Sequence, residues 1–360
     1  MLRHSGIGTY LQGLLGEYHP HPFFKGHSLE LALFPSAISE MNGKFHGFPF
    51  YAPVYSPWEQ LEYPFRLGRC RLWHAPHYNV ALLRKSERLV VTVHDLIHWI
   101  FRREFFSSFK AGYSRIFFER VVESADRIIT VSESTRNDLI CYFKAVPDRI
   151  RVIYEGVEKN FFEAPDPSEL RRVQQKYGLP ERFFLYVGLI KPHKNLKRLL
   201  EVFKDLRGKR KSHSALVIVG KKDRRYPKGY ESLGRLETGE GIHYIPRLES
   251  RGELAAFYRS ARALVHPSLY EGFGLTCLEA MASGTPVIVS KTASLPEVAG
   301  EAGYYVDPQS NDSIARALLE MEENDSLRNE LAAKGQRRAR EFSWAKTAQE
   351  TIRVYEELLG

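Results

Sequence analysis

Cysteine is scarce in this 360-residue chain, with Cys70, Cys141 and Cys277 as its whole complement. An odd, scattered set supports neither a disulfide framework nor a zinc site, and a reducing cytoplasm is the simplest setting. Long apolar runs are missing too. No stretch approaches the roughly 18 apolar residues of a membrane-spanning helix, and no secretory leader opens the chain. Clustered Asp and His at metal-ligand spacing are absent, so the sequence calls for no metal. No Gly-x-Gly-x-x-Gly with a downstream acid follows a strand, which counts against a dinucleotide oxidoreductase. Acidic residues are outnumbered, 43 against 52 basic ones, for a net charge of +9. The basic residues are spread along the chain and no nucleic-acid motif accompanies them, so a nucleic-acid partner is not expected. Two readings of the charge stay open: an ordinary basic surface, or a nucleotide-using enzyme at an anionic membrane. The remaining composition, 43% hydrophobic and 26% charged, fits a globular protein long enough for two domains.

What the chain does contain is concentrated in residues 263–290. Ala263-Leu264-Val265-His266 is an apolar run of strand length stopped by Pro267. Gly272 and Gly274 follow, and glycine permits backbone angles and close approach that other residues forbid. Leu275, Leu278 and Met281 then recur at helical spacing, Gly284 supplies a stop, and Val287-Ile288-Val289 reads as a buried strand. A glycine loop that opens a helix after a strand offers N–H groups, at Leu275 and Thr276 here, and a positive dipole end to a phosphate. Glu271 and Glu279 bracket that loop. One can face a sugar and the other a ribose. A Gly-x-Gly alone is common in turns, and the plain alternative makes Glu271 a helix cap and Glu279 a solvated residue.

These residues, Pro267-Ser268-x-x-Glu271-Gly272-Phe273-Gly274, Glu279 with seven residues between the two acids, and Glu279-Ala280-Met281-Ala282-x-Gly284-x-Pro286-Val287, resemble the signature of the retaining glycosyltransferases of family 4. The resemblance runs from the first ten residues to the last helix. It implies an α/β fold of two facing Rossmann-like domains, the GT-B architecture. The expected boundaries are 1–160 for an acceptor-side domain, 161–342 for a nucleotide-sugar domain, and 343–360 for a helix crossing back to the first. The change of composition through Glu155-Gly156-Val157 to Pro167 marks the hinge.

Other stretches fall into this frame. Phe183-Phe184-Leu185-Tyr186-Val187-Gly188 is a strand with a terminal glycine, followed by Lys191 and Lys194 and then an amphipathic run, Leu196, Leu199, Leu200 and Phe203. That order suits a diphosphate, with lysine as a point charge. Relatives carry a basic residue at the Lys194 position. Many also have an arginine after the glycine; Leu189 stands there in this chain, and Lys191 is the candidate substitute. The resemblance places the nucleobase near Arg247, after the strand Ile242-His243-Tyr244-Ile245. His74 and His94 each end an apolar strand, where ligands gather in open parallel sheets, and both match positions beside the donor sugar or acceptor in related enzymes. Residues 42–68, rich in proline and aromatics, read as a long loop and an acceptor-side wall. Residues 97–110 interleave aromatic and basic side chains, as segments lying on membranes do; an aromatic stripe buried in the core is the alternative.

Gly6 and Gly8 look like a glycine loop entering a helix at Leu11, Leu14 and Leu15. Related enzymes have a central strand before this loop, and five residues cannot supply it, so the functional protein is expected to start upstream of Met1. The resulting expectation is a retaining, metal-independent hexosyltransferase with no cofactor. It takes a nucleoside diphosphate sugar, GDP-mannose as the best match to bacterial mannosyl- and rhamnosyltransferases, to a hydroxyl of a glycan or lipid-linked acceptor. Glu271, Lys194, His94 and His74 are its catalytic candidates. Gly6, Gly8, Gly188, Lys191, Arg247, Gly272, Phe273, Gly274, Leu275, Thr276 and Glu279 are its donor-binding candidates. An epimerase or phosphorylase on the same architecture, and a non-catalytic sugar-nucleotide binder, remain as alternatives.

Overall fold

The computed structural model describes residues 6–18, 21–33, 45–52, 56–66, 70–81, 86–104, 108–164, 166–209, 211–222 and 241–360. The chain divides into two compact units, Met1–Gly156 joined by Ser343–Gly360, and Val157–Phe342.

The first unit runs α1 (Gly6–Tyr18), β1 (Glu30–Leu33), β2 (His46–Pro49), α2 (Pro57–Arg66), β3 (Leu72–Ala75), β4 (Arg88–Val93), α3 (Ile97–Ile100), α4 (Ser108–Ser124), β5 (Arg127–Thr130), α5 (Glu133–Phe143) and β6 (Ile150–Val152). β3 to β6 form a parallel sheet in that order, and β1 pairs with β2 in a separate parallel pair. β4 reads Arg-Leu-Val-Val-Thr-Val and buries every residue after the first. A parallel strand covered on both faces has that near-continuous apolar character. Its Leu89, Val91 and Val93 join Phe118, Ile128 and Leu139 in one core. α5 starts where Ser132 Oγ accepts from Thr135 N–H, and it ends at Lys144 in the left-handed region.

Two expectations are corrected in this unit, and one open alternative is narrowed. Gly6 and Gly8 lie in the first turn of α1 rather than in a loop before it. The expected strand before Gly6 concerns residues 1–5, outside the described residues. Residues 42–68 are not one long loop: they contain β2 and α2, and Pro57 opens α2 at a position where its missing N–H costs nothing. In the aromatic–basic segment, Trp99 packs against the core of this unit, 5.3 Å from the Phe143 ring, with the Arg102 guanidinium 4.1 Å over its face. Residues 105–107 of that segment lie outside the described residues. The exposed aromatic face is instead on α2, where Trp58, Leu61 and Phe65 are 68%, 57% and 87% exposed. Its Glu59 turns inward to Asn79 and Tyr63, and Glu62 accepts from the Tyr51 and Ala52 N–H groups.

The second unit runs α6 (Pro167–Tyr177), β7 (Phe183–Val187), α7 (Leu196–Gly208), β8 (Ala215–Val219), β9 (Ile242–Ile245), α8 (Arg251–Ser260), β10 (Ala263–His266), α9 (Leu275–Ala282), β11 (Val287–Ser290), α10 (Leu295–Ala299), β12 (Gly303–Val306), α11 (Asn311–Glu323) and α12 (Asp325–Ala339). Its sheet is parallel with the order β12-β11-β10-β7-β8-β9. The chain builds outward from β7 on one side, returns to its other side with β10, and so makes a switch point between them. α7 buries Leu196, Leu199, Leu200, Phe203 and Leu206 as a single stripe against β7 and β8. Ile314, Leu318 and Met321 of α11 enter the same core.

The chain ends in α13 (Trp344–Leu359), which belongs to the first unit and packs along α1. Gly13 makes that approach possible: a Cβ there would stand 2.1 Å from the Trp344 ring. Thr347 Oγ1 donates to the Tyr154 carbonyl, tying the start of α13 to the chain beyond β6.

Candidate active site

In an open α/β sheet the crevice outside the carboxyl ends of the strands at the switch point is where ligands bind. In the second unit those ends are Val187 of β7 and His266 of β10, and Gly188, Lys194 and Glu271 of the expected residues meet there. Gly188 follows β7 at φ +147°, and Gly220 follows β8 at φ +157°. A Cβ on Gly220 would stand 1.8 Å from the Gly188 carbonyl oxygen, so the two loops cross only because one position lacks a side chain. The Lys194 side chain lies over Gly188, its Cδ 3.6 Å from where a Cβ would be. From there the ammonium donates to both oxygens of Glu271, at 2.8 and 3.0 Å.

Glu271 is 8% exposed and held from several sides. Besides Lys194, His266 Nε2 donates to Oε1 at 2.9 Å. Its main chain is clamped as well: Ser294 Oγ lies 2.9 Å from the Glu271 carbonyl oxygen and 2.7 Å from that of Phe273. Burial alone would raise the carboxyl. The Lys194 ammonium and His266 outweigh it and hold Glu271 well below the usual carboxylate range. Asn195, next to Lys194, sits in the left-handed region at φ +57°, and its amide donates to the Pro267 and Pro308 carbonyls at 3.0 and 2.7 Å. Leu269 N–H donates to the His193 carbonyl at 2.7 Å. These bonds stitch the loop after β7 to the loop after β10.

Gly274 caps α9 at φ +111°, and a Cβ there would meet Leu295 Cδ2 at 2.9 Å. The first backbone bond at this end of the helix runs from Leu278 N–H to the Gly274 carbonyl. Helix geometry leaves the N–H groups of Leu275 and Thr276, both half-buried, before that bond, with the positive end of the dipole. Gly272 and Phe273 are buried in the loop itself.

Glu279, on α9, is not the solvated residue of the plain alternative. It is 6% exposed and accepts from Arg251 Nη2 at 2.6 Å and Tyr258 OH at 3.1 Å. Burial pushes its carboxyl up, and Arg251 and Tyr258 only partly offset that. Arg251 also pairs with Glu158 at 2.7 Å. Lys191 is half-buried at the start of the turn that carries Lys194, and Arg247 is exposed in the loop after β9.

His74 and His94 belong to the first unit and are placed differently from each other. His74 lies within β3, and both ring nitrogens are engaged: Nδ1 with Tyr355 OH at 2.5 Å and Nε2 with Thr92 Oγ1 at 2.8 Å. Tyr18 OH on Tyr355 and Tyr10 OH on Thr92, each at 3.0 Å, extend this into a chain linking α1, β3, β4 and α13. Burial, with His94 nearby, pushes the His74 imidazole down to about 3. His94 follows β4, with Nδ1 3.1 Å from buried Glu155 and Nε2 3.1 Å from the Pro76 carbonyl oxygen. Sequence reasoning missed Glu155, His193, Asn195, Arg251, Tyr258, Ser294 and His266. A signal existed for His266, which closes an apolar run of sequence much as His74 and His94 do; nothing local marks the others.

Among the described residues no group of three or more His, Cys, Asp or Glu side chains is arranged to hold a metal, and no helix is long and apolar enough to cross a membrane. Residues 168–338 match the family model of glycosyl transferases group 1, and residues 31–161 that of glycosyltransferase family 4. The chain is 34% identical over 295 residues to an O-antigen chain mannosyltransferase B of Escherichia coli, covering 80% of this chain and 74% of that one. It is 28% identical over 305 residues to the O-antigen chain mannosyltransferase RfbU of Salmonella typhimurium strain LT2, covering 84% and 79%. Among solved structures, Anabaena Alr3699/HepE in complex with UDP and glucose superposes with a TM-score of 0.74 at 16% identity, over 97% of this chain and 96% of that one. Two α/β units built on parallel sheets and these matches place the chain in the family-4 glycosyltransferases of GT-B fold.

Proposed function

We propose that this glycosyltransferase moves a hexose, mannose in our reading, from a nucleoside diphosphate to a hydroxyl of a glycan or lipid-linked acceptor, with retention and without a metal. The observation that carries the reading is the convergence of Lys194, Glu271 and the N-terminus of α9 at the switch point of the second unit. Departure of a nucleoside diphosphate develops negative charge at a fixed place, and donors already aimed there stabilise the transition state. Lys194 and the N–H groups of Leu275 and Thr276 supply them. The loops at Gly188, Gly272 and Gly274 give the diphosphate room, with Phe273 beside them. Glu271, ionised and clamped, accepts from hydroxyls of the donor sugar. Glu279 takes the ribose hydroxyls, and Arg247 and Lys191 flank the nucleotide. The names of the two O-antigen relatives favour mannose, and GDP-mannose is the donor proposed.

In the first unit His94, steadied by Glu155, is the group proposed to meet the sugar or acceptor. His74 acts through its network rather than on substrate. Gly6 and Gly8, in the first turn of α1, stay donor-binding candidates in this reading. The chain is proposed to work in the cytoplasm against an anionic membrane surface. The +9 charge and the outward Trp58, Leu61 and Phe65 of α2 support this. The test is thermal shift and nucleotide release across GDP-, UDP-, ADP- and dTDP-sugars. GDP-mannose is expected to stabilise the chain most and to release GDP. Glu271→Ala should abolish transfer while Glu279→Ala chiefly weakens nucleotide binding. Wild-type turnover in Glu271→Ala would remove the sugar-holding role.

A further inference from the structure

We infer that His266 is a positioning residue that keeps Glu271 aimed at the donor sugar once Lys194 is drawn to the diphosphate; this rests on the donor-site reading above. Lys194 carries one ammonium, and in this structure it bridges both oxygens of Glu271. A bound diphosphate brings a second, stronger claim on the same charge. Glu271 then needs a partner that does not leave, because a buried carboxylate that loses its donors changes orientation or takes up a proton.

His266 has the required properties. It is the last residue of β10, is fully buried, and is fixed by strand pairing with β11 through Val289. Its Nε2 lies 2.9 Å from Glu271 Oε1, and Ser268 Oγ is 3.3 Å from the same nitrogen. Its other nitrogen, Nδ1, is buried and meets no hydrogen-bond partner among the described residues. The ring is thus committed to the carboxylate through Nε2, and no partner at Nδ1 among the described residues turns it away. The neighbouring Asn195 amide cannot do this work, since it is spent on the Pro267 and Pro308 carbonyls. Ser294 fixes the main chain of Glu271 and His266 fixes its head.

The experiment uses the full chain, with GDP binding by calorimetry and GDP release from GDP-mannose, in wild type, His266→Leu and His266→Gln. Glutamine carries an N–H at nearly the reach of Nε2, and leucine carries none. GDP has no sugar, so its affinity should stay within about twofold in both variants. The kcat of His266→Leu should fall by about 10²-fold, the usual cost of a misplaced reacting group, and His266→Gln should recover most of it. Wild-type kcat in His266→Leu, no recovery in His266→Gln, or GDP affinity falling in step with kcat would each overturn the inference. Should the leucine variant not fold, His266→Asn, whose amide falls short of Glu271, replaces it. If GDP-mannose is inert but another sugar nucleotide of the panel turns over, the same comparison is made with that donor and its nucleoside diphosphate. A wild type that turns over none sinks the functional reading and this inference together; a working wild type with an unimpaired His266→Leu sinks the inference alone.

Discussion

Replacing Lys194 with methionine separates electrostatics from shape at the centre of the site. Methionine fills similar space but removes the charge, leaving Glu271 buried with His266 as its remaining side-chain donor. Breaking one side of a buried ion pair typically costs about 3–5 kcal/mol, because an uncompensated charge stays behind; His266 brings the expected loss here to the lower end. For a unit of this size each kcal/mol moves Tm by roughly 2–4 °C, so a fall of roughly 6–12 °C is expected at pH 7. The pH dependence follows from the pKa directions. In wild type the Glu271 carboxyl lies well below its ordinary value, so its contribution is present above about pH 4.5 and fades as pH falls towards the folded value. In Lys194→Met burial dominates and the carboxyl rises above its ordinary value. Stability then improves as pH drops and Glu271 protonates. The gap between the two proteins should therefore narrow between pH 7 and pH 4. Adding Glu271→Gln to Lys194→Met removes the stranded charge and should recover most of the loss. Differential scanning calorimetry on all three proteins reads the outcome. A loss below about 1 kcal/mol at pH 7, or a double variant no better than the single one, would refute the account.

Further outcomes follow from other contacts. Gly13→Ala pushes a methyl into the Trp344 ring and should cost about 1–3 kcal/mol, read by urea unfolding; Gly16→Ala, in open space on the same helix, should not. Asn195→Ala removes two hydrogen bonds and puts alanine at a positive φ. It should lose about 2–4 kcal/mol, and Asn195→Gly should lose less. The His74 imidazole is pushed down by burial, so its titration leaves stability unchanged above about pH 6.5. Below that the unfolded chain takes a proton that the folded one refuses, at up to about 1.4 kcal/mol per pH unit. His74→Gln should therefore flatten the acid limb of a stability–pH profile measured down to pH 4. Trp58→Ser with Phe65→Ser should weaken flotation with anionic liposomes at low salt; equal flotation removes α2 as the contact.

Much of the second unit was legible because its signals are local. The apolar runs of β7 and β8, the stripe of Leu196, Leu199, Leu200 and Phe203, and the loop with Gly272 and Gly274 each depend on neighbours a few residues away. A glycine before a helical stripe allows a phosphate site, and the resemblance to the family-4 signature gave the two glutamates their expected roles. Local reading failed where one residue's role is settled by a distant one. Proline and aromatics across residues 42–68 hid β2 and α2, and the sequence left Trp99 open between surface and core until Phe143 met it.

Chain order alone could not show that β10 returns beside β7, and that return brings Lys194 within 2.8 Å of Glu271 across 77 positions of sequence. Nor could it show that Glu279 is gripped by Arg251 and Tyr258, or that His74 is spent on Tyr355 while His94 leans on Glu155. The amino-acid sequence determined the kinds of element and the chemistry available at their ends, since propensity, capping and apolar periodicity act within a turn or two of chain. Strand order and burial decided which of those groups meet and in which ionisation state. A charge's environment is made by whatever the fold brings within a few ångströms, and here most of it comes from far along the chain.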